Sequence, residues 1–82
     1  MRTVTLYGRP GCHLCDDARE ALVRIAGDHP FRLVEVDIER DRDLLKRYLE
    51  RIPVVALDGE ELSDHFVDEE ALVRRLAVES RG

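Results

Sequence analysis

The sequence predicts a single α/β domain, spanning residues 1–82, with the element order β-α-β-α-β-β-α. Three observations predict it. Two extended apolar segments are each followed by a segment whose apolar residues recur at helical intervals. An Asp58-Gly59 dipeptide joins two further extended segments, and Asp-Gly supplies the positive φ values that a tight hairpin needs. A last helical pattern follows the hairpin, and a chain of 82 residues is too short for a second core.

The first strand and helix are predicted on either side of a glycine-rich turn. The strand covers about Arg2 to Tyr7, where polar and apolar residues alternate. The helix runs from near Cys12 to Ala26, and Gly27 is expected at its C′ position. The apolar residues of this helix recur at helical spacing: Ala18, Ala21, Leu22, Ile25 and Ala26.

The second strand and helix are predicted between Phe31 and Ile52. The strand covers Phe31–Ile38, although its apolar residues do not alternate strictly and its burial is therefore less clear. A cap near Asp41 begins the helix, which ends before Ile52-Pro53. The buried stripe of this helix is predicted to contain Leu44, Leu45, Tyr48 and Leu49.

The hairpin and the third helix are predicted from turn and cap residues. The hairpin joins Val54–Leu57 to Glu60–Leu62. Asp68 is the candidate cap of the third helix, and its acidic first turn suits the positive end of the helix dipole. The inward positions are Leu72, Val73 and Leu76, and Val67 with Leu72 has the spacing of a hydrophobic staple.

Charge and hydropathy exclude several classes of function. The net charge is −5, 38% of the residues are charged, and no run of lysine or arginine forms a basic patch. These values argue against binding to nucleic acid or to an anionic membrane. No apolar stretch approaches the roughly 20 residues of a membrane span, and Met1 leads directly into the first strand without a signal-peptide pattern. A cytoplasmic monomer is therefore expected.

The chain has only two cysteines, Cys12 and Cys15, and they form a C-x-x-C pair between the first strand and the first helix. A C-x-x-C in this position is typical of a thioredoxin-like redox site. A helix N-terminus presents unpaired N–H groups and the positive end of the dipole, which favour a thiolate. Cys12 is therefore predicted to be the nucleophile, and Cys15, one helical turn later, the resolving thiol.

Other interpretations of this segment remain open. Structural zinc needs four ligands, and only three histidines accompany the two cysteines, so redox chemistry is favoured and no metal ligand is assigned. His13 either stabilises the Cys12 thiolate as an imidazolium or is an exposed residue at the start of the helix. Arg9 either docks a carboxylate of the substrate or is a solvated loop residue.

Three segments together resemble the glutaredoxin-like branch of the thioredoxin-fold superfamily. These are Gly8-Arg9-Pro10-Gly11-Cys12-His13-Leu14-Cys15, Ile52-Pro53-Val54-Val55 and the Asp58-Gly59 hairpin. The resemblance covers nearly the whole chain. It implies a thioredoxin fold, with a four-stranded mixed sheet flanked by three helices. It also implies a cis peptide bond before Pro53, facing the dithiol.

The resemblance also implies roles for individual residues. Cys12 matches the nucleophile of the family and Cys15 its resolving cysteine. Pro53, preceded by Ile52, matches the proline against which substrates dock. Arg9 lies three residues before Cys12, where glutaredoxins commonly have a lysine that meets the carboxylate of glutathione.

Two segments depart from the family pattern near the expected substrate. His13-Leu14 replaces the usual Pro-Tyr between the cysteines, which leaves the redox potential open. Ser63-Asp64 replaces the Gly-Gly of glutathione-binding members. Asp64 adds negative charge and bulk where backbone would otherwise approach the ligand. The sequence therefore predicts weak binding of glutathione.

The resulting expectation is a dithiol oxidoreductase that reduces disulfides of proteins or of small molecules. It needs no resident cofactor, only an external thiol reductant or a reductase, with glutathione as one possible donor. Two alternatives are an iron–sulfur or metal-binding module that uses Cys12 as a ligand, and an interaction domain with a vestigial dithiol. A coloured protein after reconstitution with iron and sulfide would indicate the cluster-binding module. A Cys12 thiol with the reactivity of an ordinary cysteine would indicate the interaction domain.

Overall fold

The computed structural model describes residues 1–79. Its elements follow the predicted order. The strands are Thr3–Gly8 (β1), Arg32–Asp37 (β2), Val54–Leu57 (β3) and Glu60–Asp64 (β4). The helices are His13–Asp28 (α1), Arg42–Tyr48 (α2) and Glu69–Glu79 (α3), and a short 3₁₀ turn covers Ile38–Arg40.

The four strands form one mixed sheet in the order β2-β1-β3-β4. β1 pairs with β2 in parallel and with β3 in antiparallel register, and Tyr7 lies opposite both Val36 and Val54. β4 continues the sheet as an antiparallel neighbour of β3. The mixed four-stranded sheet implied by the resemblance is thus confirmed. β1 lies at its centre, and its last residue, Gly8, leads directly into the loop that carries Cys12.

Two separate clusters of apolar side chains hold the helices to the sheet. The larger cluster joins β1 and β3 to α1 and α3; its buried members are Val4, Leu6, Ala18, Leu22, Ile25, Phe31, Val55, Leu57, Leu72 and Leu76. The smaller cluster contains Ile38, Tyr48 and Val54. Neighbouring residues of β3, Val54 and Val55, belong to different clusters because successive side chains of a strand point to opposite faces. The sheet therefore lies between two layers of helix.

Cap and turn residues behave as the sequence predicts. The side chain of Asp41 accepts hydrogen bonds from the backbone N–H groups of Asp43 and Leu44, at 2.9 and 3.2 Å. Asp68 accepts from the N–H of Ala71 at 3.1 Å. In the hairpin, Asp58 has φ 48° and Gly59 has φ 90°, which are the positive values that a type I′ turn requires. These local predictions are confirmed.

Two predicted helix features are wrong. Gly27 lies inside α1, which continues to Asp28, and the N–H of His29 donates to the carbonyl of Ile25 at 2.8 Å. The helix passes through Gly27 because its last carbonyls still find backbone donors. Leu49 is 43% exposed and does not join the buried stripe, because α2 ends at Tyr48 and the chain turns there toward Pro53.

The ends of the second and fourth strands also differ from the prediction. β2 ends at Asp37, whose side chain accepts a hydrogen bond from the N–H of Glu39 at 2.9 Å and so begins the 3₁₀ turn. Ile38 is consequently buried in that turn and not in the strand. β4 runs two residues beyond Leu62, to Asp64, and the β3–β4 register shifts beside Leu62. Within residues 1–79, every helix falls short of the length and apolar character that a membrane span needs.

Asp58 gives a testable pH dependence of stability. Its carboxylate accepts a hydrogen bond from the N–H of Thr3 at 2.9 Å and pairs with Arg2. These contacts, the backbone bond first, hold the pKa of Asp58 below its ordinary value of 3.8. The stabilisation is therefore present above pH 3.8 and is lost as the pH falls through the lower, folded-state pKa. We expect Asp58→Asn, which tolerates the positive φ, to be less stable than the wild type at pH 7, with the difference shrinking at acid pH.

Urea unfolding of the two proteins at a series of pH values measures this difference. Glu50→Gln is the matched control, because Glu50 is exposed and has no ion pair among residues 1–79. A constant gap between wild type and Asp58→Asn from neutral to acid pH would show that the carboxylate charge contributes nothing.

Candidate active site

Cys12 and Cys15 are joined in a disulfide at the start of α1. Cys12 is the N-cap residue, with extended backbone angles φ −97° and ψ 108°. Its Sγ accepts a hydrogen bond from the N–H of Cys15 at 3.1 Å, and its carbonyl accepts from the N–H of Asp16 at 3.1 Å. The sulfur of Cys12 thus takes the place of a capping oxygen. An N–H donor directed at this atom favours negative charge on it.

The two cysteines differ in exposure. Cys12 is half-buried, whereas Cys15, in the first turn of α1, is only 3% exposed. Their Cα atoms are 5.2 Å apart, which is within the usual range for a disulfide. An incoming sulfur therefore reaches Cys12 far more easily than Cys15.

Gly8, the last residue of β1, lies directly against Cys15. A Cβ atom placed on Gly8 would lie 2.9 Å from Sγ of Cys15 and 3.2 Å from its Cβ. The absence of a side chain at the end of β1 is what allows Cys15 to pack against this strand. The only sequence signal for this contact is a glycine at a strand end shortly before a C-x-x-C.

The charged residues around Cys15 pair with one another. A cleft of about 230 Å³ beside Cys15 is lined partly by Arg9 and Arg19 and by carboxylates. Nη1 of Arg9 lies 3.7 Å from Glu39, and Nη1 of Arg19 lies 3.1 Å from Asp16. Arg19 also pairs with Glu35. The charge of Asp16 next to the dithiol is therefore offset by Arg19, and Arg9 has a carboxylate partner within the protein.

The residues between the cysteines are accessible to a partner. His13 is exposed and Leu14 is 58% exposed. Leu14 also lines a second cleft, on the side of α1 that faces the loop after β4. Among residues 1–79, no group of three or more His, Cys, Asp or Glu side chains is placed to hold a metal ion.

The Ile52–Pro53 peptide bond is cis, as the resemblance implies. Pro53 is fully buried and directly precedes Val54, which pairs with Tyr7. Pro53 therefore lies at the edge of the sheet where β1 ends and the loop to Cys12 begins. The N–H of Ile52 donates to the carbonyl of Tyr48 at 3.0 Å, which ties this loop to the end of α2.

Asp64 has a partner that the sequence analysis missed. Nε of Arg51 lies 3.0 Å from Oδ2 of Asp64, and the same guanidinium pairs with Glu61. This bonding to Arg51 lowers the pKa of Glu61. The guanidinium also lies 5.5 Å from the centre of the Tyr48 ring. The negative charge of Asp64 is thus offset within the protein.

The loop after β4 is tied to the loop before Pro53. The N–H of His65 donates to the carbonyl of Arg51 at 2.9 Å, and the backbone of His65 has φ 68°, a value that residues other than glycine seldom adopt. Arg51 therefore links the two loops twice: its carbonyl accepts from His65, and its guanidinium pairs with Asp64. No signal in the sequence distinguishes Arg51 from its neighbouring basic residues, because the pairing depends on the hairpin folding back beside α2.

A four-stranded mixed sheet with helices on both faces and a C-x-x-C disulfide at the first helix defines a dithiol protein of the thioredoxin fold. Residues 3–77 match the profile of the glutaredoxin-like domain family (DUF836). The chain belongs to this family.

Relatives of known sequence or structure agree with this assignment. The chain is 30% identical to the "Glutaredoxin-like protein YDR286C homolog" of Dictyostelium discoideum, over 84% of this chain and 69% of that protein. The solution structure of protein Ne2328 from Nitrosomonas europaea matches with a TM-score of 0.82 and 29% identity, over 90% of this chain and 89% of that one. The X-ray structure of XcR50 from X. campestris matches with a TM-score of 0.72 and 37% identity, over 92% and 96% of the two chains.

Thioredoxins are also structural neighbours. A mutant thioredoxin from Halobacterium salinarum is 20% identical with a TM-score of 0.65, over 94% of this chain and 73% of that one. A likeness at this identity shows the thioredoxin fold alone. Together, the family and the Cys12–Cys15 pair indicate a redox function.

Proposed function

We propose that this protein is a dithiol–disulfide oxidoreductase in which Cys12 attacks substrate disulfides and Cys15 resolves the mixed disulfide. The observation that carries the proposal is the difference between the two sulfurs. Cys12 is half-buried and its Sγ accepts an N–H hydrogen bond at the helix start, whereas Cys15 is only 3% exposed. Such an arrangement favours an outer nucleophile and an inner resolving thiol.

The first step uses the reduced protein. The Cys12 thiolate attacks one sulfur of the substrate disulfide, forming a Cys12–substrate S–S bond and breaking the substrate S–S bond. The second substrate sulfur leaves as a thiolate and takes up a proton. The N–H of Cys15, which lies 3.1 Å from Sγ of Cys12 in the disulfide, is placed to stabilise the Cys12 thiolate before attack.

The second step releases the product. Cys15 loses its proton and attacks Sγ of Cys12, forming the intramolecular disulfide and expelling the remaining substrate sulfur. The protein dithiol is oxidised and the substrate disulfide is reduced, by two electrons in total. The Cys12–Cys15 disulfide is the product that this step would form. An external dithiol, or two monothiols, then reduces Cys12–Cys15 and closes the cycle.

A single-turnover reaction tests the proposal. The reduced protein is mixed with an excess of dithiobis(nitrobenzoate), and the coloured thiolate released per chain is measured. We expect two thiolates per chain, one from the attack by Cys12 and one from resolution by Cys15. The protein should then contain the internal disulfide and carry no adduct in the mass spectrum. One thiolate per chain, with a stable adduct on Cys12, would instead mean that Cys15 does not resolve.

The electron donor is the second part of the proposal. We expect glutathione to be a weak reductant, because Asp64 occupies the place where glutathione-binding members have glycine and because Arg9 is already paired with Glu39. The Ser63→Gly, Asp64→Gly double variant should raise glutathione-dependent turnover several-fold, since it removes bulk and a carboxylate at this place and leaves Arg51 with Glu61 as its remaining carboxylate partner. Steady-state kinetics with a glutathionylated peptide measures the change.

Ser63→Gly alone is the matched control for this variant, because it opens the backbone and leaves the Arg51–Asp64 pair in place. Efficient glutathione turnover by the wild type, unchanged by the double variant, would show that Asp64 does not oppose glutathione. A parallel assay with a thioredoxin reductase as donor identifies the alternative source of electrons.

A further inference from the structure

Beside the dithiol lies an apolar cleft that the mechanism above does not use. It has a volume of about 280 Å³ and lies between α1 and the loop after β4. Its lining is Leu14, Asp17, Ala18, Ala21, His65, Phe66, Val67 and Glu69. We name this feature the α1–α3 cleft, because α1 contributes one wall and the start of α3 part of the other.

Two large apolar side chains at this cleft are exposed. Leu14 is 58% exposed and Phe66 is 62% exposed. Leu14 lies between the two cysteines in the chain, so one wall of the cleft is part of the C-x-x-C segment. Exposed apolar side chains that line one concave surface are typical of a binding site.

Of the two carboxylates at the rim of the cleft, one is paired with a basic side chain and the other is not. Glu69 forms two hydrogen bonds with Arg24, at 2.9 and 3.1 Å, so its charge is offset. Asp17 is exposed, and its side chain forms no ion pair or hydrogen bond with the other residues of 1–79. The cleft therefore combines an apolar floor with one uncompensated carboxylate, and a basic group on the occupant would complement it.

From these observations we infer that the α1–α3 cleft binds the polypeptide around the substrate cysteine, and that it selects an apolar residue together with a nearby lysine or arginine. The inference rests on the proposed function, because Cys12 must attack the cysteine that this polypeptide carries. Leu14 and Phe66 bury the apolar side chain, and Asp17 pairs with the basic one. The substrate class is thus a disulfide carried by a polypeptide segment, in preference to a small anionic disulfide.

Peptide mixed disulfides test this selectivity. The probes are short blocked peptides with one central cysteine linked to thionitrobenzoate, in which one neighbour is leucine or serine and the other is lysine or glutamate. The reduced protein is mixed with each peptide, and the second-order rate constant of thionitrobenzoate release reports attack by Cys12. Bis(hydroxyethyl) disulfide, which has no peptide, reports the chemistry alone.

For the wild type, we expect the leucine–lysine peptide to react about tenfold faster than the serine–glutamate peptide. Phe66→Ser should reduce the advantage of leucine over serine several-fold, because it removes an apolar wall without entering the buried core. Asp17→Asn should reduce only the advantage of lysine over glutamate, by about two- to threefold at low salt. Val23→Ser is the matched control, since Val23 is also 58% exposed on α1 but does not line the cleft.

Failure of this inference can be told from failure of the proposed function. Equal rates for all peptides, or an advantage of leucine that Phe66→Ser leaves intact, would overturn the inference while the thiol chemistry stands. If neither the peptides nor bis(hydroxyethyl) disulfide react faster with the wild type than with Cys12→Ser, the proposed function is wrong. Circular dichroism of each variant confirms that the comparison is between folded proteins.

Discussion

Replacing Cys12 by serine should lower the rate of disulfide reduction by about a thousandfold or more, because a hydroxyl cannot replace the attacking thiolate. Replacing Cys15 by serine should have a different effect. Cys12 remains at the helix start, where the backbone N–H of residue 15 is still present to donate to its sulfur. The first attack should therefore proceed, and the mixed disulfide should accumulate because the resolving thiol is gone.

Mass spectrometry after one turnover distinguishes the two variants. Cys15→Ser should carry one substrate molecule on Cys12, and Cys12→Ser should carry none. Alkylation rates measured against pH in the same variants report which thiol is more acidic, and we expect Cys12. A more acidic Cys15, or a substrate adduct on Cys15 in the Cys12→Ser protein, would reverse the assignment of nucleophile and resolving thiol.

Gly8→Ala should destabilise the protein at the dithiol, because it adds a methyl group where no room is left for one. The new Cβ would lie 2.9 Å from Sγ of Cys15, so one of the two must move. We expect a loss of about 1–3 kcal/mol in the free energy of unfolding of the oxidised protein. The loss should be smaller after reduction, because the free thiol of Cys15 can change rotamer whereas the disulfide holds it. Gly8→Ala should therefore make the disulfide easier to reduce.

Urea unfolding of both redox forms, and equilibration against defined mixtures of reduced and oxidised dithiothreitol, measure these effects. Gly27→Ala is the control, because a Cβ on Gly27 has no atom within 4 Å and the residue lies inside α1. That variant should gain about 0.5–1 kcal/mol from helix propensity and leave the redox equilibrium unchanged. Equal stability losses for oxidised and reduced Gly8→Ala would mean that the clash is not with the constrained sulfur.

The features that sequence reasoning predicted correctly are those determined by a few neighbouring residues. The Asp58-Gly59 turn, the Asp41 and Asp68 caps and the start of α1 at the C-x-x-C each depend on local hydrogen bonds or φ values. Gly27 shows the limit of this reasoning, because a helix can pass through a glycine when its last carbonyls are still bonded. Sequence reasoning therefore located the elements better than their ends.

The features it missed depend on residues that are distant in the chain. Arg51 meets Asp64 only after the hairpin has folded back, and Gly8 meets Cys15 only once α1 packs on β1. Phe66 and Leu14 likewise line the same cleft only when the loop before α3 lies against α1. Hydrophobic periodicity and residue propensity carry no information about such pairings. Sequence reasoning therefore pointed to the two cysteines and the proline of the candidate site, but not to the residues that pack and pair around them.

The division of the apolar core into two clusters has a consequence for motion at the site. Cys15 lies on α1, which the larger cluster holds, whereas Ile52 packs against the smaller cluster around Tyr48. α2 has only seven residues, so the smaller cluster is expected to open at a lower free energy than the larger one. Amide hydrogen exchange should then be faster in α2 than in β1 and α1. The proline loop would move relative to a fixed dithiol, and the same pair of sulfurs could admit substrates of different width.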